Sequence, residues 1–258
     1  MKQGLFAAIV AFIFAGGSAL AADLPTKAPY YKAPPPAYFS WTGFYIGAHG
    51  GVDWFHKDWD VPLTPTNIAG GCLGCPRPAG AQNDSSWLAG VQAGFNYQVS
   101  QWVFGVEAQT SWTRLRGHDT NLLIGPTVND NSKTDNIGTI AARFGLAWDR
   151  TLFFVKGGGA WAHDRFFTAF ATNPTVALQS TTDTRWGWMI GGGIEYAFWT
   201  NWSVKVEYDH LDFGRDRETL QPQPGCGCLP FQYDIRQTVD LVKVGINYRF
   251  GGPISARY

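Results

Sequence analysis

The stretch Trp102-Val103-Phe104-Gly105-Val106-Glu107-Ala108-Gln109-Thr110-Ser111-Trp112 alternates two chemistries with a period of two. Trp102, Phe104, Val106, Ala108, Thr110 and Trp112 form one set, and Gly105, Glu107, Gln109 and Ser111 form the other. A strand puts successive side chains on opposite faces, so each set occupies its own face; a helix would mix them. The bulky set ends in a Trp at both limits, whereas the other set is small, amide-bearing or charged. This pattern fits a strand lying between hydrocarbon and a polar lumen, with amphipathic rings at the two membrane surfaces.

The same alternation recurs along the chain. Outward sets run from about Phe44 to Trp54, Trp87 to Tyr97, Gly138 to Trp148, Phe153 to Trp161, Trp186 to Phe198, Trp202 to Tyr208 and Val242 to Phe250. With the first stretch this predicts eight strands. Short connections at Gln98–Gln101, Asp149–Thr151 and Trp199–Asn201 alternate with long segments, Phe55–Ser86, Thr113–Asn136, Ala162–Arg185 and His210–Gln237. Even strand number, short periplasmic turns and long external loops are the habit of outer-membrane barrels. The expected fold is therefore all-β, an eight-stranded antiparallel transmembrane β-barrel. A soluble barrel would place the apolar set inside and the charges outside, the reverse of this pattern.

Composition agrees. The chain has 258 residues, 20 Lys+Arg against 20 Asp+Glu, 16% charged residues and 31 Gly. Soluble domains carry about 25% charged residues and about 7% Gly. The even charge balance argues against a nucleic-acid partner, which calls for a basic excess. Residues 1–21 have the form of a cleaved signal peptide: Lys2, the apolar run Leu5–Phe14, and Ala19-Leu20-Ala21. Residues 22–40, with Pro25, Pro29, Pro34, Pro35 and Pro36, predict an extended periplasmic arm able to contact peptidoglycan or a periplasmic partner. The barrel is expected over 41–250, followed by a tail over 251–258 and no second folded domain.

Six inward charges, Glu107, Arg143, Lys156, Glu195, Glu207 and Lys243, fall at comparable heights and predict a layer of three acids and three bases in the lumen. Ions buried there must pair with one another. Such a layer reads first as a structural plug, then as the lining of a narrow or gated water path, and last as a binding or catalytic site. The last strand, Lys243-Val244-Gly245-Ile246-Asn247-Tyr248-Arg249-Phe250, resembles the assembly signal of outer-membrane barrels through Lys243, Gly245, Tyr248 and Phe250. That implies recognition by the barrel-assembly machinery, although the signal usually ends at its aromatic residue and here Gly251 to Tyr258 follow.

Trp41-Thr42-Gly43-Phe44-Tyr45-Ile46-Gly47 after Ala22-Asp23-Leu24-Pro25, together with Tyr208–Gly214 and Lys243–Phe250, resembles the small outer-membrane immunogenic proteins of alphaproteobacteria, the RopB-type surface antigens, related to the transmembrane domain of OmpA-like proteins. The resemblance implies an outer-membrane barrel among lipids and lipopolysaccharide, with an envelope-stabilising, antigenic or porin-like role. It gives no motif for a cofactor.

Cys72 and Cys75 lie in the first long segment and Cys226 and Cys228 in the fourth. In a closed barrel these segments emerge side by side in an oxidising compartment, so loop-to-loop bridges are favoured over bridges within each loop. Free thiols or a metal site remain as alternatives, but the zinc-ligand pattern is incomplete. His49, His118, His163, His210 and Ser111 form no nucleophile and base pair whose spacing the sequence defends. No catalytic, metal or cofactor site is therefore expected. The expected role is structural and surface-presenting, with a small diffusion pore second and a lipid A-modifying enzyme third.

Overall fold

The computed structural model describes residues 39–69, 75–120, 128–170, 173–222 and 229–250. Its strands are β1 (Gly43–Val61), β2 (Arg77–Val99), β3 (Trp102–Thr120), β4 (Val128–Trp148), β5 (Thr151–Phe170), β6 (Asn173–Tyr196), β7 (Trp202–Pro222) and β8 (Phe231–Phe250). A short helix, α1 (Pro65–Ala69), follows β1. The strands close in sequence order into one antiparallel barrel, β1 pairing with β8 from Phe44↔Phe250 to Asp60↔Asp234. Closure removes the open edges that a lipid-exposed sheet cannot leave unpaired.

The short turns are as tight as the sequence implies. Ser100-Gln101 joins β2 to β3, and Asp149-Arg150 joins β4 to β5. Ser100 and Asp149 take φ of 56° and 50°, the left-handed region that two-residue hairpins use and that Asp tolerates better than most residues.

The long segments are a correction. Strand continues through 55–61 and 77–86, 113–120 and 128–136, 162–170 and 173–185, and 210–222 and 231–237, all expected to be loop. The reason is an exchange of faces. Between Phe44 and Trp54 the outward side chains of β1 are apolar or glycine, but the next outward positions are His56, Asp58 and Asp60, while Phe55, Trp59 and Val61 are buried inside. Alternation continues with its sign reversed, so a search for outward apolar residues stops at the Trp.

The apolar band has the dimensions of a membrane. Phe44 and Trp54, Tyr97 and Trp87, and Trp102 and Trp112 are pairs of exposed rings at the two ends of a strand, each pair ten residues apart. Ten residues at about 3.3 Å each, on strands tilted by about 40°, rise about 25 Å, the height of the apolar belt of outer-membrane barrels. By the same arithmetic the continuation of β1 to Val61 stands about 18 Å above the outer ring of Trp residues.

Inside, packing is layered. At the short-turn end Trp41, Val103, Leu152, Phe154 and Ala197 form an apolar floor, with Phe39 packed on it. Above the ionic layer lies a second apolar group that includes Phe55, Leu88, Leu115, Ile137, Met189, Leu211 and Leu241. A third, Trp59, Val61, Phe166, Leu220, Tyr233 and Ile235, fills the top, with Cys75 and Phe231 against it. Large inward side chains are matched by glycines on the neighbouring strand: Tyr45 lies over Gly94, where a Cβ would sit 2.5 Å from the Tyr45 ring and 2.6 Å from the Val106 carbonyl oxygen. Replacing Gly94 by Val should therefore sharply lower the yield of folded, heat-modifiable barrel in refolding gels. Gly159→Ala, on the outer face with nothing within 4 Å, should refold like the parent chain; equal yields for the two variants would show that the Tyr45–Gly94 fit is dispensable.

Candidate functional site: the ionic layer of the lumen

Every predicted inward charge is buried in the lumen, and together they make one network. Lys156 Nζ lies 3.3 Å from Glu107, 3.2 Å from Glu207 and 3.1 Å from Asp209. Lys243 Nζ reaches Glu207 at 2.9 Å and Asp209 at 2.6 Å. Lys205 Nζ sits between Glu107 at 3.0 Å and Glu207 at 2.9 Å. Arg143 pairs with Glu195 at 2.5 Å and stacks its guanidinium 3.7 Å above the Phe154 ring. β3 and β7 lie opposite each other in the strand order, so the Glu107–Lys205 contact ties diametric walls of the barrel.

Lys205 and Asp209 complete the layer, making four carboxylates against four cations. Their inward position was legible in the alternation of β7, but their membership of the layer was not, because height around a tilted barrel depends on stagger. The neutral partners were missed as well. The Tyr45 hydroxyl donates to Glu107 at 2.8 Å, and Gln109 Nε2 donates to Glu107 at 2.8 Å and to Glu207 at 2.9 Å. Lys243 donates to Gln109 Oε1. The Ser203 hydroxyl at 2.5 Å and Asn247 Nδ2 at 2.8 Å donate to Glu195 Oε1. The layer thus has no net charge and many hydrogen bonds, the two conditions under which ions are tolerated in a dry site.

The network continues toward β1 and β2. Gln92 Nε2 donates to Asn247 at 2.6 Å, and His49 has Nδ1 2.9 Å from Gln92 Oε1 and Nε2 2.8 Å from the Ser111 hydroxyl. Sequence gave no warning of this hydroxyl–imidazole pair, which the register brings together from β1 and β3. Both residues are about 95% buried, and apolar layers lie on either side. The pair ties β1 to β3 in the interior of the barrel. The remaining histidines are dispersed: His56 lies 3.1 Å from Asp58, His163 lies 3.2 Å from Thr184, and His210 and Tyr208 share Asp240 at 2.7 and 2.6 Å on the outer face. The His118 side chain is outside the described residues.

Lys243 and Gly245 of the terminal motif face the lumen, whereas Tyr248 and Phe250 face outward with rings 5.1 Å apart. Cys75 is disulfide-bonded. Cys72, Cys226 and Cys228, the signal and arm segments up to residue 38, and the tail after residue 250 lie outside the described residues.

Higher up, Lys57 is buried against Thr134 at 3.2 Å and Asp164 at 3.5 Å, and Arg185 donates to the Ile235 carbonyl at 2.6 Å. At the external end Glu218 is held at a pKa of about 7 by burial first and then by Asp183 and Asp216, with Arg185 pulling the other way.

A closed eight-stranded barrel with an apolar belt, two aromatic rings and an ion-paired lumen is an outer-membrane β-barrel. The chain belongs to the outer membrane protein beta-barrel domain family, whose model matches residues 12–250. It is 30% identical over 266 residues to the 31 kDa outer-membrane immunogenic protein of Brucella melitensis biotype 1, covering 97% of this chain and all of that one. It is 26% identical over 213 residues to the 25 kDa outer-membrane immunogenic protein of Brucella ovis, covering 81% of this chain and 89% of the relative. The crystal structure of the outer membrane protein OprG from Pseudomonas aeruginosa matches with a TM-score of 0.49 and 14% identity, covering 81% of this chain and 97% of that one. The protein is thus an outer-membrane protein of the immunogenic barrel family, and its apolar belt is the surface that meets lipid.

Glu107→Gln should cost about 3–5 kcal/mol, because Lys156 and Lys205 each lose a buried counter-charge. The double variant Glu107→Gln/Lys205→Gln restores neutrality and should regain part of that loss. Urea unfolding in lipid vesicles, followed by Trp fluorescence, measures both. At the rim, folded Glu218 keeps its proton to about pH 7, whereas an unperturbed Glu releases it near 4.5. Its contribution to stability is therefore greatest below pH 4.5, falls as pH rises to about 7, and is level above that. The urea midpoint should decline between pH 5 and 7.5, and Glu218→Gln should flatten that decline.

Proposed function

We propose that this barrel is a non-enzymatic envelope protein, a lipid-embedded strut that carries a rigid antigenic surface, and that its lumen does not conduct. The observation that carries this reading is the neutral ionic layer between two apolar layers. An ion or solute would have to displace Trp41, Val103, Leu152 and Phe154, break the Glu107–Lys205 and Lys156–Asp209 pairs, and then cross Phe55, Leu88, Leu115 and Leu241. At the floor, the pocket between Trp41, Tyr45, Glu195 and Arg249 has a volume of about 10 Å³, room for no more than one water.

The surface role rests on the external continuation of the strands. His56, Asp58, Arg116, Arg165, Arg215, Arg217 and Arg236 point away from the barrel above the membrane, offering a charged wall to the exterior. The relatives' description as immunogenic supports the same role. Tyr248 and Phe250 fit recognition by the barrel-assembly machinery while β8 is still an edge, and the Pro-rich arm fits a peptidoglycan or periplasmic contact. A buried Ser111–His49 pair with no route for a substrate favours a non-enzyme.

Planar-bilayer recording of the purified full-length protein tests the central claim. Electrical silence across independent insertions is expected. Stable conductance steps that scale with salt would overturn the plug and put a diffusion channel in its place.

A further inference from the structure

The outward face just above the outer Trp ring is electrically lopsided. On β3, β4 and β5 the register sets Arg116 opposite Lys133 and Lys133 opposite Arg165, three cations side by side on adjacent strands. Thr182 continues the line on β6. Like charges directly opposite each other on a sheet repel and are destabilising unless a counter-charge sits between them. Lys133 has Asp135 at 2.8 Å, but among the described residues neither Arg116 nor Arg165 has an ion-pair partner. Arg114, next along β3, lies with its guanidinium 5.7 Å from the ring of Trp87, at the membrane surface itself.

The other side of the barrel shows what neutralisation looks like here. Arg215 and Arg236 are also cross-strand neighbours, on β7 and β8, yet each has an aspartate: Asp60 at 3.1 Å and Asp212 at 3.6 Å. Arg217 has Asp234 at 2.7 Å. The protein pairs all three arginines with aspartates on that side, whereas on β3–β5 only Lys133 is paired among the described residues.

Position names the missing partner. Arg116 and Arg165 each lie four residues beyond a Trp of the outer ring, Trp112 and Trp161, which is about 10 Å along the barrel axis and within reach of a long side chain bending back to the surface. At that height the neighbours of an outer-membrane barrel are lipid headgroups. The row is two strand spacings wide, about 10 Å, and suits a headgroup bearing more than one phosphate.

We propose that Arg114, Arg116, Lys133 and Arg165 form a binding site on the external face of β3–β5 for the phosphates of lipid A. The site is independent of whether the lumen is plugged. It fixes one side of the barrel to its surrounding lipid, while the opposite side, whose arginines are paired with aspartates, stays unbound.

Native mass spectrometry of the folded full-length protein in detergent tests this with two probes, diphosphorylated lipid A and the same lipid A stripped of phosphate. The parent protein should retain the phosphorylated form at least about tenfold better. Arg116→Gln/Lys133→Gln/Arg165→Gln should lose that preference, and Arg165→Gln alone should lower it roughly five-fold, the worth of one cation at a charged membrane surface. The control Arg215→Gln/Arg217→Gln/Arg236→Gln, with the same loss of charge, should keep it. Heat-modifiable migration confirms that each variant is folded, and the single variant decides the matter if the triple one fails that check. Equal retention of the two lipids, an unchanged preference in the β3–β5 variants, or an equal loss in the control would overturn the proposal. Full displacement by inorganic phosphate would overturn it in favour of a soluble anion.

Discussion

Glu107 and Lys205 meet across the full width of the barrel, and the rest of the structure is arranged so that they can. A cylinder of eight strands has an interior about two side chains across, so opposite walls interact directly. Charges there have no bulk water to fall back on. The three lysines of the layer are each shared between two or three carboxylates, and the arginine is fixed on Glu195 and Phe154. Glycines such as Gly94 and Gly191 leave space for the crossing side chains on the adjacent strand. Removing a single charge disturbs several partners at once, which makes the layer a cooperative tie rather than a set of separable pairs.

The membrane imposes the second constraint, and it acts on the outer face alone. From Phe44 to Trp54 the outward residues of β1 answer to hydrocarbon; from His56 onward they answer to water. The inner face changes in the opposite sense, from ionic in the belt to mostly apolar above it, where Leu115, Phe166 and Tyr233 pack as in a soluble protein. One continuous set of strands therefore has the logic of a membrane protein below the Trp ring and that of a water-soluble barrel above it.

This division explains what the sequence disclosed. Strand number, order, short turns and the sidedness of every membrane-spanning strand were legible, because period-two alternation with a Trp at each end is a local signal. The strand extensions were not, since Phe55-His56-Lys57-Asp58-Trp59 alternates with the opposite polarity and reads as loop beside the belt. The six lumen charges were legible as inward and co-planar. Lys205 and Asp209 were not assigned to the layer, and the His49–Ser111 contact was invisible, because both depend on which residues the register brings face to face across the lumen. The cation row on β3–β5 has the same origin: Arg116, Lys133 and Arg165 are distant in sequence and adjacent only through pairing.

The strand extensions also bear on what an immune system would see. Neighbours on the exposed wall, such as Arg215, Arg236 and Asp60, come from three separate strands, while the residues between them in sequence point into the interior. A linear peptide cut from any one strand displays both faces together and none of the lateral neighbours. Antibodies to the native wall would thus read a discontinuous epitope that exists only while the cylinder is closed, and boiled antigen would present a different molecule.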